Sequence, residues 1–458
     1  MPKSSNQVKL TELSAEFPVF IYEEFTFSLE PEGLRAKFHF NLGNRYHFFP
    51  TLFVPRNNWA FADEIMKSIL PSLVFHIGMM ELISYWKAAC PPKVIIKPSG
   101  LSREQIQWWK KLYFLGLGEF FYLNSLEADE QSFMKIEAGG DIFPSLAMPD
   151  MNSGVIIPVG GGKDSAVTLD LLKGSFDTMP LALNSRGATS AIIEASGLSL
   201  SDALLINRTI DPLLFKLNAR GFLNGHTPFS ALLAFISLTA ALLTGRKYIV
   251  LSNESSANEA TVPGTNINHQ YSKSIEFEND FRAYLSKYIT HNIEYFSFLR
   301  PLNELQIAWL FYRMPFYHKN FRSCNAGSKT GSWCGNCPKC LFTFIVLSPF
   351  IGIESLTAIF GKNLLDEPGL SAILLQFTGA ADEKPFDCIG TIDEVNLALC
   401  EIIRARKGKG LPALLRIYMN SAEYNRYQDQ DFMSSLKSYR PNNLPEPFGS
   451  ILKTALYV

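Results

Sequence analysis

Charge of one sign is what this sequence most plainly lacks. Against 42 lysines and arginines stand 43 aspartates and glutamates, so no summed field would draw a polyanion to the surface, and nucleic acid is not expected as a partner. Long apolar runs are scarce too. The most apolar, residues 229–243, is fifteen residues long and includes Ser230, Ser237 and Thr239, short of the roughly 20 that a spanning helix needs. It reads as a buried core helix, and no membrane partner is expected. The opening MPKSSNQVKLTELSAEF lacks the apolar stretch of a secretory leader, so a cytoplasmic location is expected. The seven cysteines do not make a disulfide framework: Cys324, Cys334, Cys337 and Cys340 crowd into one segment, while Cys90, Cys388 and Cys400 are scattered. No internal repeat or low-complexity tract is found.

What is present is length and apolar content, 458 residues of which 47% are hydrophobic, enough for two or three domains with cores of their own. From about residue 17 to 55 aromatic and polar residues alternate between turn signals, as antiparallel strands do, and helical patterns follow at 62–89 and 103–115. Residues 1–150 therefore read as an α+β module. In residues 151–345 short apolar runs, 154–159, 179–184, 203–207 and 247–251, alternate with helix-sized segments. That is the pattern of βα units, so the expected class is α/β with a parallel sheet and ligands at the strands' carboxyl ends. Residues 346–458 read as a mainly helical extension.

One loop carries recognisable chemistry. In VIIPVGGGKDSAVTLDLL, residues Gly160, Gly161, Gly162, Lys163, Asp164 and Ser165 stand between a strand and a helix. Glycines let the backbone approach a phosphate, and the positive end of the helix favours the anion. Ser165 can donate a hydrogen bond, Lys163 would neutralise phosphate charge, and Asp164 would orient the loop or hold Mg2+. A glycine-rich turn that binds nothing is the plainer alternative. The spacing fits neither the Walker loop nor the dinucleotide fingerprint. It resembles the SGGxDS loop of PP-loop ATP pyrophosphatases, with Gly160 in place of the family's first serine. The resemblance implies a PP-loop (HUP-like) domain that binds ATP and cleaves it to AMP and pyrophosphate. It also implies that adenine lies near Asn184 and Ser185; a simple strand-ending turn explains those two residues equally well.

Two further segments invite chemistry. The polar run SNESSANEATVPGTNINHQYSKS follows the strand YIVL and brings Glu254, His269 and Lys273 to a strand's carboxyl end, as an active-site loop or as exposed coil. Glu254 is a candidate for Mg2+; His269 and Lys273 are candidates for phosphate contact or proton transfer. His226, at the helix start NGHTP, reads as a local structural residue. Cys324, Cys334, Cys337 and Cys340 have the spacing of a closed four-thiolate Zn2+ site, with an iron–sulfur cluster or unmetallated thiols as alternatives. That spacing is similar to the zinc site of 7-cyano-7-deazaguanine synthases.

Taken together, GGGKDS, SNESSANE, VPGTNINHQYSKS, YFSFLRPLNE, the cysteine block and KPFDCIGT resemble the UDP-N-acetylmuramoyl-L-alanyl-L-glutamate epimerases, the MurL family. The resemblance implies an isomerase of peptidoglycan precursor synthesis. It would convert the terminal L-Glu of a UDP-MurNAc-dipeptide substrate to D-Glu through an acyl-adenylate. Cys388, His269 and Lys273 are the candidate proton-transfer residues; for Cys388 a buried core thiol is the alternative. A nucleobase-modifying PP-loop synthase is the competing function. A tRNA-thiolating enzyme should carry a basic excess that is missing here, and a nucleotide sensor without chemistry remains a third class.

Overall fold

A computed structural model describes residues 5–457 apart from 263, 266, 325, 328–330 and 382. The chain is α/β. It divides into two compact units, neither of them continuous in sequence: Met1–Ile156, Leu204–Ile249 and Tyr271–Tyr295 form the first, and Ile157–Ala203, Val250–Gln270 and Phe296–Val458 the second.

In the first unit, strands β1 (Val19–Glu30) and β2 (Gly33–Leu42) form an antiparallel hairpin in which Phe20 faces Leu42. β3 (Tyr46–Phe48) and β4 (Thr51–Pro55) join β2 antiparallel. On the other side β5 (Lys93–Ile96) runs parallel to β1, and β6 (Lys135–Ala138) parallel to β5. The alternating aromatics point inward, with Phe20, Tyr22, Phe38 and Phe40 fully buried. They lie beneath the helix Asp63–Trp86. Gly78 permits the close approach, since a Cβ there would lie 1.9 Å from the Tyr22 hydroxyl oxygen. Among the described residues this helix, and not the run at 229–243, is the one long and apolar enough to cross a membrane by length and composition; 78% of its apolar window is buried. The helix Phe229–Thr244 is a core helix, as expected, buried on every face from Leu238 to Thr244.

The parallel expectation holds only in part. Strands β7 (Asn152–Pro158) and β10 (Arg246–Leu251) pair parallel, Tyr248 with Val155. β9 (Leu204–Arg208), however, pairs antiparallel with β4, Phe53 opposite Asn207, so the sheet is mixed. A short apolar run reports burial on both faces and carries no information about strand direction, which explains the difference.

The second unit contains β8 (Thr178–Leu183), the end of β11 (Glu294–Ser297), and helices that include Lys163–Leu172, Glu304–Tyr312, Pro338–Ile351 and Ile392–Ala405. Pro338 sits in the first turn of its helix, where a missing N–H costs nothing.

One buried polar group in the first unit makes stability depend on pH. His76, 2% exposed, has Nδ1 2.6 Å from the Ser72 carbonyl and Nε2 3.0 Å from the Tyr284 hydroxyl. That hydroxyl accepts in turn from Trp109 at 3.2 Å and from Gln105 at 3.3 Å. Burial pushes the imidazole down to about 4, with the Ser72 carbonyl opposing. The fold thus holds His76 neutral while the unfolded chain takes up a proton below the ordinary value. The stabilisation is complete above pH 6.5 and is lost as pH falls toward 4, on the order of 3 kcal/mol at the limit. Urea unfolding should show wild type losing stability relative to His76→Gln across that window; parallel curves would refute the assignment.

Candidate functional site

The glycine loop begins where β7 ends. Val159 donates its N–H to the Leu181 carbonyl at 2.8 Å, which places the loop beside β8, and Gly162 caps the helix Lys163–Leu172. Gly161 has φ +88°, and a Cβ there would lie 2.9 Å from the backbone of Ala188 and Thr189, so only glycine fits. A Cβ at Gly162 would meet the Ser323 hydroxyl oxygen at 3.1 Å, whereas Gly160 faces open space. Ser165 donates its hydroxyl to the Gly162 carbonyl at 3.1 Å. The first amides of the helix have no intrahelical acceptor and are aimed along its axis, the geometry an anion requires.

Asn184, in the left-handed region at φ 51°, and Ser185 form the exposed turn after β8. The Ser185 hydroxyl lies 3.3 Å from that of Ser190. Gly161 abuts Ala188 and Thr189, in the first turn of the helix Gly187–Ala195, so the glycine loop lies beside the start of the helix that follows the turn after β8. The residues expected to meet phosphate and those expected to meet adenine therefore share one edge.

Lys163 does not reach into solvent. Its side chain is 3% exposed, and Nζ lies 2.5 Å from both Asp164 Oδ1 and Glu304 Oε2. Burial alone would lower its pKa, but the two carboxylates outweigh that and hold the ammonium charged. Burial pushes the Glu304 carboxyl up; Lys163 opposes this, while the carboxylates of Asp164, Glu254 and Glu394 add to it. Glu254 is thus drawn into the same group. It precedes the turn Ser255–Asn258, is buried, and its carbonyl accepts from Arg300 Nη1 at 2.7 Å.

A second group forms where two loops are stitched together at Thr261. Its hydroxyl accepts the His269 N–H at 3.0 Å, and its carbonyl accepts the Lys384 N–H at 3.2 Å. Lys384 Nζ donates to Glu259 and to the Gly390 carbonyl, each at 2.8 Å. The loop bearing His269 is thereby held to the loop bearing Asp387 and the half-buried Cys388. Burial raises the Asp387 carboxyl. The Lys339 ammonium 3.8 Å away lowers it, Cys388 raises it and His269 lowers it, so Asp387 feels the charge of each. Lys273 lies on the turn Tyr271–Lys273 of the first unit. Pro263 and Asn266, from the run VPGTNINHQYSKS, lie outside the described residues.

The four clustered cysteines converge. Their sulfurs lie within 4.8 Å of one another. Cys324 is 3.3 Å from Cys334 and 3.6 Å from Cys337, and Cys340 is 3.6 Å from Cys334 and 3.5 Å from Cys337. A tetrahedron of sulfurs at about 2.3 Å from Zn2+ has edges of about 3.8 Å, so the donor set fits that ion with slight opening. Gly327 N–H points at Cys324 Sγ at 3.2 Å, and Cys337 caps the helix Pro338–Ile351. The segment leading to Cys324 also touches the glycine loop, where Arg322 N–H donates to the Gly161 carbonyl at 2.8 Å.

Sequence reasoning gave Glu304, Glu394 and the Arg322–Ser323 step no role. Glu304 ends the run YFSFLRPLNE, and its only local signal is the cap made by Asn303 with Gln306.

The MurL N-terminal domain matches residues 11–298, and the MurL C-terminal domain matches residues 319–431. Three relatives carry the name UDP-N-acetyl-alpha-D-muramoyl-L-alanyl-L-glutamate epimerase. The one from Salinispora tropica is 33% identical over 383 residues, 81% of this chain and 83% of its own length. The one from Micromonospora sp. is 34% identical over 381 residues, with the same coverage of 81% and 83%. The one from Xanthomonas oryzae pv. oryzae is 36% identical over 331 residues, covering 69% and 71%. No solved structure gives a significant match. Matched through most of its length by both domains in their order, the chain belongs to the MurL family.

Proposed function

We propose that this protein is a cytoplasmic, ATP-dependent epimerase that converts the terminal L-Glu of UDP-MurNAc-L-Ala-L-Glu to D-Glu, serving peptidoglycan precursor synthesis. The substrate rests on the relatives' names. The use of ATP rests on one observation above all, the glycine loop set on a helix N-terminus with Gly161 pressed against the first turn of the helix Gly187–Ala195 that follows β8.

The chemistry follows from charge. A free carboxylate resists loss of its α-proton, because the carbanion would form beside an existing negative charge. In the proposed reaction a substrate carboxylate oxygen attacks the α-phosphorus of ATP and pyrophosphate leaves, with Mg2+ supplying charge neutralisation on the phosphates. The resulting acyl-adenylate has a neutral carbonyl that can accept the electron pair from the α-carbon. A side-chain base then takes the α-proton, a second group returns one to the opposite face, and water releases AMP. Cys388 and His269, held together through Thr261 and Lys384, are the favoured pair for these transfers, with Lys273 as the remaining candidate. Glu254 and Asp164 are the candidates for Mg2+. The four cysteines would hold a structural Zn2+, since a closed shell leaves no position for substrate.

Reaction in deuterated water with ATP and Mg2+ should place deuterium at the α-carbon of the D-glutamyl product, with none incorporated when ATP is omitted. AMP formation with the glutamate unlabelled and still L would refute epimerisation while leaving the ATP reading in place. At the loop, Gly161→Ala should lower AMP formation by about 100-fold, because the new Cβ forces the backbone out of position, whereas Gly160→Ser should keep nearly full activity. Equal effects at the two positions would argue against the loop as the phosphate site. Metal analysis of protein purified without chelator should find about one zinc per chain, and Cys337→Ser should lose the zinc and melt at lower temperature. Iron with a brown colour would replace that assignment by a cluster.

A further inference from the structure

The loop lysine is the residue a reader of the sequence would place on a phosphate, and its surroundings argue otherwise. Lys163 opens the helix Lys163–Leu172, and Glu304 opens the helix Glu304–Tyr312. Between them Nζ bridges Glu304 Oε2 and Asp164 Oδ1, both at 2.5 Å. Glu304 is anchored on its own side. Asn303 and Gln306 cap its helix reciprocally at 2.8 and 3.0 Å, and the Glu304 N–H donates to Glu394 Oε1 at 2.8 Å. Glu394 completes a capping box with Thr391. A connected line of contacts therefore runs from Thr391 through Glu394, Glu304 and Lys163 to Asp164. Along it Lys163 and Glu304 are 3% and 4% exposed, while Asp164 is 32% exposed at the mouth of the glycine loop.

We propose that Glu304 is a positioning residue for the ATP loop: through Lys163 it fixes the Asp164 carboxylate. The proposal rests on the ATP reading given above. Lys163 keeps one N–H beyond those two contacts, but its side chain is 3% exposed, so a swing of Nζ out to a phosphate in the open loop would draw it away from Glu304, and breaking a buried ion pair is costly. Asp164, by contrast, has a side chain 32% exposed beside Lys163, so a cation carried by the substrate can reach it. The helix that delivers Glu304 lies in the stretch 299–318, between the regions matched by the two MurL domains.

The test is a mutant cycle on the full-length protein, reading AMP formation from Mg-ATP with UDP-MurNAc-L-Ala-L-Glu, alongside thermal melting. Lys163→Met with Glu304→Met replaces the pair by apolar side chains of similar length. It should fold with a melting temperature near that of wild type, yet raise KM for Mg-ATP or lower kcat by roughly 10- to 100-fold, leaving KM for the UDP-sugar unchanged. Asp164→Asn should cost a similar factor. Adding Asp164→Asn to the double variant should cost no more than about twofold beyond Asp164→Asn alone, because the pair acts through that carboxylate. Should the double variant fail to fold, Glu304→Gln keeps the shape of the side chain and should show the same selective loss for Mg-ATP. Wild-type kinetics in whichever variant folds, or losses that multiply when Asp164→Asn is added, would overturn the proposal while the ATP reading stood. A wild-type enzyme that forms no AMP would overturn both.

Discussion

The buried contact of one ammonium with two carboxylates is the constraint on which the arrangement of the second unit turns. Lys163 and Glu304 each begin a helix, and each would be a severe electrostatic cost in that position without the other. Their pairing sets the start of Glu304–Tyr312 against the start of Lys163–Leu172. The register between the glycine loop and the helices behind it is therefore set by a charge requirement as well as by packing. Apolar contacts could tolerate a small slide between these helices; an ion pair with almost no access to water tolerates far less.

The cysteine cluster works on the same loop from the other side. Arg322 and Ser323, immediately before Cys324, meet the glycine loop through the Gly161 carbonyl and the Gly162 Cα. Cys324, the first of the four clustered cysteines, follows directly and ties that strip of backbone to the cluster. The loop is thus gripped between a charge pair and a candidate metal centre, which suits a site that must present amides in a fixed direction before any ligand arrives.

Much of this was readable from local spacing, and the rest was not for definite reasons. The glycine loop, its helix and the four cysteines are each encoded within about twenty residues, where chain geometry alone determines what can meet. The partner of Lys163 lies 141 residues away, and no periodicity reports so distant a contact. The meeting of His269 with the loop of Cys388 through Thr261 is hidden for the same reason. That β9 also pairs with β4, antiparallel, could not be read, because an apolar run looks the same whatever strand lies beside it. The helix Asp63–Trp86 was recognisable as a helix, but its fit beneath the aromatic hairpin depends on Gly78, one small residue in a long apolar run.

That helix has a consequence for biosynthesis. It is buried on nearly every face, and a principal partner within its unit is the helix Phe229–Thr244, which leaves the ribosome much later. At translation speeds of roughly 5–20 residues per second, the intervening chain takes on the order of 7 to 30 seconds to emerge. Throughout that interval the face that the helix Phe229–Thr244 will cover lacks that partner, although the β1–β2 hairpin that covers another face has already been made, and the glycine-loop segment of the other unit is synthesised in between. The discontinuous layout of the first unit thus delays the closing of its core until the helix Phe229–Thr244 has been made.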